Sequence, residues 1–201
     1  MAYSSGKNEQ GFTIVELLAG LAIGMLLLSV AVTMLSTQME TFNEEEELSE
    51  MQQNIRVAMD MIVRETKMAG YDPAEKGFYG VSYDAGQLHI VADLDGNGVT
   101  NTVSLEDIKY KYYGNPDYNI KRKSGTGSFQ PITENIADLT IVYLDELSQE
   151  ITLGSDSDKI RQVWIKITGR TSNIDTRTGD FRYGTLTATI TPRNLTYDED
   201  D

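Results

Sequence analysis

Apolar and polar positions fall into three successive regimes along the chain. From Phe12 to Leu35 nearly every residue is apolar, and Glu16 is the only charge in that run. At 1.5 Å of rise per residue, a helix of this length is roughly 36 Å long, enough to cross a bilayer. Further on the pattern turns amphipathic: Leu48, Met51, Ile55, Ala58 and Ile62 recur at steps of three and four, which places one apolar stripe on a helix. Gly70 and then Pro73 supply the stop. The simplest reading is one helix from about residue 12 to about residue 69, near 85 Å in length. After Tyr71 the period changes to two. Gln87–Ala92, Asp107–Tyr112, Ala137–Tyr143, Gln162–Ile167 and Thr185–Ile190 each read as a strand, and Lys123–Ser128 and Thr178–Asp180 as turns. The expected class is α+β: a long N-terminal helix whose second half packs against an antiparallel β-sheet head.

These regimes set the expected organisation: a leader over 1–11, a transmembrane or core helix over 12–35, an amphipathic continuation over 36–70, a β-rich head over 71–196 and an acidic tail over 197–201. A secretory signal would end in a small-x-small cleavage site, whereas the residues after Leu35 read STQMETFNEEEE. The apolar segment is therefore expected to remain with the mature chain. The run Glu44–Glu47 reads as a solvated neck, or else as a contact for basic residues of an adjacent subunit.

Charge and composition narrow the function classes. A formal charge of -14 over 201 residues argues against nonspecific nucleic-acid binding, since the surface repels phosphate. No cysteine is present, so disulfides and thiolate metal sites are out, while an oxygen-ligated ion stays under consideration. The single histidine, His89, lies in an alternating strand, and no phosphate loop or nucleophile motif is evident. An enzyme is not expected. The acidic pairs Glu106-Asp107 and Asp145-Glu146 read as solvated surface.

One stretch suggests a metal. Asp93-Leu94-Asp95-Gly96-Asn97-Gly98 sets oxygen-bearing side chains at alternate positions and follows them with glycine, the spacing that opens an EF-hand loop. Asp93, Asp95 and Asn97 are candidate calcium ligands. The match is partial: Ser104 stands where such a loop has its bidentate glutamate, and Glu106 serves only if the loop is longer. The competing reading is an Asn-Gly turn between strands. No cofactor is otherwise required.

Glu16 needs its own reason, because a carboxylate at the centre of a membrane helix costs about 2.5–3.5 kcal/mol and less near an end. One reading puts it in the first helical turn, where the macrodipole favours negative charge. The stretch Gly11-Phe12-Thr13-Ile14-Val15-Glu16-Leu17-Leu18 also resembles the type IV prepilin processing motif. That resemblance implies cleavage between Gly11 and Phe12 by a membrane prepilin peptidase, N-methylation of Phe12, and pairing of Glu16 with the Phe12 amine of a neighbouring subunit. The leader, with Lys7 but also Glu9, is less basic than most of its kind, and no proline interrupts the helix. Gly20 and Gly24 form a small-xxx-small pair suited to close helix approach.

Further matches extend the likeness. Gln53–Glu65 running into Lys67–Tyr71, then Ile132–Leu139 and Thr191–Leu195, are similar to PilW-type minor pilins and the related J-type pseudopilins of type II secretion. The likeness implies a structural subunit, held in the bacterial inner membrane by one span with its head outside the cytoplasm, then moved into a pilus or pseudopilus. Its implied partners are other minor pilins, major pilin or pseudopilins, and the prepilin peptidase/methyltransferase. Pilus assembly, a type II secretion tip complex, a tip-displayed adhesive module and an uncut single-span membrane protein all remain open at this point.

Overall fold

The apolar run becomes helix at Ile14, two residues later than the pattern alone suggests, because Thr13 caps it. A computed structural model of the chain describes residues 11–84, 86–100, 105–152 and 154–195. Most of the leader (1–10), Ser104 and the acidic tail (197–201) lie outside the described residues. The first element, α1, runs Ile14–Thr66. The chain resolves into two units, Met1–Glu45 and Glu46–Asp201, and α1 contributes to both.

In the first unit α1 is mostly exposed, and its part up to Leu35 is long and apolar enough to cross a membrane. Its few hydroxyls are satisfied within the helix: Ser29 donates to the Leu26 carbonyl, Thr33 to Ser29, Ser36 to Val32, Thr37 to Thr33 and Thr41 to Thr37. Such back-bonding lets polar side chains sit on an apolar helix without an unpaired group.

In the second unit the stripe is realised by Met51, Ile55, Ala58, Met59, Ile62 and Thr66, all buried. The helix stops three residues before the expected end. Lys67–Gly70 forms turns, with Gly70 at φ 77° donating its amide to the Val91 carbonyl at 2.9 Å. A Cβ on Gly80 would stand 2.1 Å from the Gly70 nitrogen, so two backbones cross where only glycine fits.

Among the described residues nine strands follow: β1 Val81–Asp84, β2 Gln87–Val91, β3 Asp107–Tyr113, β4 Asn119–Ser124, β5 Gln130–Thr133, β6 Ile136–Leu144, β7 Glu150–Ile151, β8 Gln162–Arg170 and β9 Tyr183–Ile190. They divide between two antiparallel sheets, ordered β1-β2-β3-β4-β5 and β7-β6-β8-β9. The five expected strands are β2, β3, β6, β8 and β9. The others carry weak signals. In β4 only Ile120 is apolar among Asn119, Lys121, Arg122, Lys123 and Ser124, and β5 includes Pro131, tolerated because β5 is an edge strand.

A single cluster unites α1 with both sheets: Leu88, Ile90, Ile108, Tyr110 and Ile120 from the first, Ile136, Val163, Ile165 and Ile167 from the second. The second sheet seats on α1 through a pair of glycines. Gly169 and Gly184 are cross-strand partners. A Cβ on Gly169 would lie 2.7 Å from Ile55 Cγ2, and one on Gly184 2.7 Å from Met51 Cε. Small residues here let backbone and helix side chains close up.

Candidate functional site

At the start of α1 four residues form a capping box. Glu16 Oε2 accepts from both the Thr13 amide and the Thr13 hydroxyl, each at 2.9 Å. The Glu16 amide donates back to Thr13 Oγ1 at 3.3 Å, and the Thr13 carbonyl accepts the first intrahelical bond, from Leu17, at 3.1 Å. Threonine at the cap with glutamate three residues on is the reciprocal arrangement that satisfies orphan donors of a helix N-terminus. Oε1 has no hydrogen-bond partner among the described residues, so one oxygen caps the helix and the other stays open to a cation. Gly11 to Thr13 precede the helix and are exposed. Phe12 is 86% exposed, and nothing lies within 4 Å of where a Gly11 Cβ would stand. Among the described residues nothing packs over the Gly11-Phe12 bond. The same holds of Gly20 and Gly24, where an added Cβ meets nothing within 4 Å.

The acidic loop after β2 folds around Asp93. Its Oδ1 accepts from the amides of Gly96 and Asn97, at 2.9 and 3.1 Å, and its Oδ2 from Gly98 at 2.9 Å. Gly96 and Gly98 make this possible with φ of 72° and 74°, conformations that favour glycine. Asn97 closes the loop on itself: its Oδ1 accepts from the Val99 amide at 2.7 Å, and its Nδ2 donates to Asp95 Oδ2 at 2.8 Å.

Glu106 overturns the reading of its pair as solvated surface. It is 1% exposed, and its Oε1 accepts from the Leu94 and Asp95 amides at 3.0 and 3.2 Å. Its neighbour Asp107 is bonded to His89 Nε2 at 2.9 Å. Oxygens of Asp93, Asp95 and Glu106 lie within 4.8 Å of one another, an acidic group able to hold a hard cation, whereas the expected third ligand Asn97 turns its Oδ1 to the Val99 amide.

Two further polar clusters fix the head to the helix. Glu65 on α1 accepts the Tyr110 hydroxyl, and Arg122 grips the same carboxylate through Nε at 3.1 Å and Nη2 at 3.0 Å. Burial, and then the hydrogen bond to Glu65, push the Tyr110 phenol far above its usual range. Burial works against the Arg122 charge, yet the bonds to Glu65 outweigh it and raise its pKa. The second cluster shows that the Glu44–Glu47 run is more than a solvated neck: Glu47 accepts from the Asn173 side-chain amide at 2.6 Å and its backbone amide at 3.2 Å. Neither contact was legible, since each joins residues far apart in the chain. Tyr110 gave a hint, alternating in phase with Ile108.

A comparison with curated proteins finds no match. The N-terminal region does match a family model, described as the prokaryotic N-terminal methylation motif, over residues 6–32. Gly11, Phe12, Thr13 and Glu16 all fall inside that span, as does much of the apolar half of α1. The chain therefore carries, at residues 6–32, the N-terminal methylation motif characteristic of type IV prepilin-like proteins, and the long apolar helix that fits it begins within that span.

Proposed function

We propose that this protein is a minor subunit of a type IV pilus or pilus-like filament, a structural and assembly component with no catalytic role. The observation that carries the reading is the methylation motif laid over an exposed Gly11-Phe12 bond and a half-occupied Glu16 carboxylate. The chain is anchored by residues 12–35 in the inner membrane, cut after Gly11 and methylated on Phe12. It is then drawn into the filament, with the Phe12 amine of one subunit meeting the open Glu16 oxygen of the next. A desolvated charge pair of this kind selects register, because misplacing one partner leaves a buried charge at a cost of about 3–5 kcal/mol. PilW-like features at Gln53–Tyr71, Ile132–Leu139 and Thr191–Leu195 support a place among minor pilins, and they equally suit a J-type pseudopilin of type II secretion.

The test is intact mass and N-terminal sequencing of the protein from native membranes beside Gly11→Ala. A mature chain beginning at N-methylated Phe12, lost in the variant, supports processing. An uncut chain in both sinks the filament reading and leaves a single-span membrane protein.

For the loop at Asp93 the reading is a calcium site that stiffens the head. Two buried carboxylates and a third within 4.8 Å repel one another, and a hard cation offsets that repulsion. Asp93, Asp95 and Glu106 would supply the oxygens.

A further inference from the structure

Among the described residues the two sheets have four edges, β1 and β5 in the first and β7 and β9 in the second. An edge strand shows a row of unpaired backbone groups, which proteins blunt by shortness, proline, charge or cover. Three of these edges are blunted. β1 has four residues and the 3-10 helix Gly154–Lys159 packed beside it. β5 has four with Pro131 among them, and β7 has two. β9 has none of these devices: its eight residues, YGTLTATI, include neither proline nor charge.

One bond just before β9 fixes which of its backbone groups are free. The Thr171 amide donates to the Arg182 carbonyl at 2.9 Å, and bonded pairs alternate along an antiparallel ladder. With Gly169 opposite Gly184 and Val163 opposite Ile190, the even-numbered residues of β9 turn amide and carbonyl to β8. Tyr183, Thr185, Thr187 and Thr189 turn theirs to the open edge, where they have no backbone partner among the described residues, and all four are exposed. The inner layer is unfinished at the same place. Ile165 and Ile167 are fully buried, whereas Ala188 and Leu186 opposite them are half-buried. Beyond Ile190 the chain enters a cleft whose lining includes Asp60, Arg64, Lys67, Leu94 and Arg193. The three cations have no ion-pair partner among the described residues. Asp60 is the one carboxylate in that lining, and Asp95, next to Leu94, is engaged by Asn97.

We propose that the open edge of β9 accepts an extended segment from a different filament subunit, adding a fifth strand to the second sheet. Backbone bonds to residues 183, 185, 187 and 189 hold it, and apolar side chains at its alternate positions complete the layer begun by Leu186 and Ala188. Its end beside Arg193 is acidic, matching the unpaired cations of the cleft. A second copy does not fit. A Cβ on Gly184 would meet Met51 and the Arg193 amide reaches the Lys67 carbonyl at 3.4 Å, so β9 runs in the direction of α1 within the head. Antiparallel pairing of two β9 strands would therefore oppose their head helices, whereas subunits of one filament share a direction. Parallel pairing would repeat from copy to copy, which a minor subunit does not do. The proposal rests on the filament reading for the identity of the partner.

The absence of cysteine allows a photocrosslinker to be placed at one site. Full-length Thr185→Cys is labelled with benzophenone maleimide in native membranes and irradiated, and its adducts are mapped by mass spectrometry. The expected adduct joins position 185 to an extended segment of another chain that carries its own N-terminal methylation motif. Thr187→Pro removes an N–H that faces the open edge and leaves the β8 ladder whole, so it should lower the adduct about tenfold. Its fold is checked by the fluorescence melt of Trp164, the single tryptophan, which stands opposite Thr189. If that melt falls, Thr187→Lys reads the same effect by adding the charge that guarded edges carry. Arg193→Glu should lower the adduct severalfold. An adduct indifferent to the folded Thr187 variant or to Arg193→Glu overturns the contact, as does an adduct to a second copy or to a chain without the motif. No adduct from a chain that is cut after Gly11 and recovered in sheared filaments overturns the contact alone; no adduct from an uncut chain overturns the filament reading with it.

Discussion

Thr13 and Glu16 hold each other at the first turn of α1: both Thr13 donors reach Glu16 Oε2 at 2.9 Å, and the Glu16 amide returns a bond to the Thr13 hydroxyl. On the proposed reading the carboxylate has two separable duties, capping its own helix and offering its other oxygen to a neighbour. Glutamine keeps the first and loses the second, since an amide oxygen also serves a capping box. Glu16→Gln should therefore be membrane-inserted and processed normally, yet absent from sheared filaments. Thr13→Ala should weaken the helix start by about 1 kcal/mol while leaving the subunit able to assemble. Immunoblots of sheared and membrane fractions decide it. Wild-type incorporation of Glu16→Gln would remove charge pairing from the mechanism.

The glycine seat under the second sheet makes a different claim, about the head. Gly169 faces Ile55 Cγ2 and Gly184 faces the tip of Met51. Isoleucine is stiff at χ1, whereas methionine bends. Gly169→Ala should cost about 1–3 kcal/mol, as overpacking does, and Gly184→Ala clearly less. Thermal melts of the two variants check the order. Equal losses would mean that Ile55 moves as freely as Met51.

Much of this architecture was legible because it rests on period. Met51, Ile55, Ala58 and Ile62 announced a helix face, and Val163, Ile165 and Ile167 a buried strand face. The strand β4 was not, because Ile120 is its only apolar residue and period needs repetition. Gly70 was read as the helix stop, but the helix ends earlier, where the Gly70 amide is drawn to Val91. Gly11, Phe12 and Glu16 are sequence neighbours, so spacing alone sufficed to pick out the stretch that the methylation motif covers. Glu106 was misread as surface because its burial depends on the loop turning back over it.

If the Asp93 loop holds calcium, the ion should stabilise the folded head by mass action, by about 2.7 kcal/mol when its concentration is a hundred times the dissociation constant. A melt with millimolar calcium should therefore exceed one in chelator. Glu106→Gln should abolish the difference, and Asp145→Asn, on the turn after β6, should leave it intact. A melting temperature indifferent to calcium in the wild type would make this an Asx-type turn held by its own amides.

The Glu65 cluster predicts a non-additive pair. Arg122→Ala strands a carboxylate whose side chain is 12% exposed, and should cost about 2–3 kcal/mol, near the low end for a broken buried pair because Arg122 itself reaches solvent. In a Tyr110→Phe background, where no phenol is left without its acceptor, replacing both partners, as Glu65→Met with Arg122→Leu, removes the stranded charge and should recover most of that loss. A double-mutant cycle by denaturant unfolding reads the coupling. Additive losses would show that the two side chains do not act as a unit.

Acid should loosen the loop between β8 and β9 through Asp175, which is 7% exposed. Its Oδ1 accepts from the Arg177 amide at 2.8 Å and the Thr178 amide at 3.4 Å, and its Oδ2 from Arg182 Nε at 3.0 Å. The Arg177 amide bond first, then those to Thr178 and Arg182, outweigh desolvation and hold the carboxyl below its ordinary value. A carboxylate with a lowered folded-state pKa contributes stability that is complete above the unfolded value, about 3.9 for aspartate, and is lost as pH falls through the folded one. The loop should accordingly be unchanged between pH 7 and 5 and weaken below about 4. Because Asn173 in the same loop holds Glu47 of α1, amide exchange should rise over 171–182 and around Glu47 together. Asp175→Asn has no proton to gain, so it should exchange faster at neutral pH and show a smaller further increase on acidification. An equal acid response in wild type and variant would move the titration to another carboxylate.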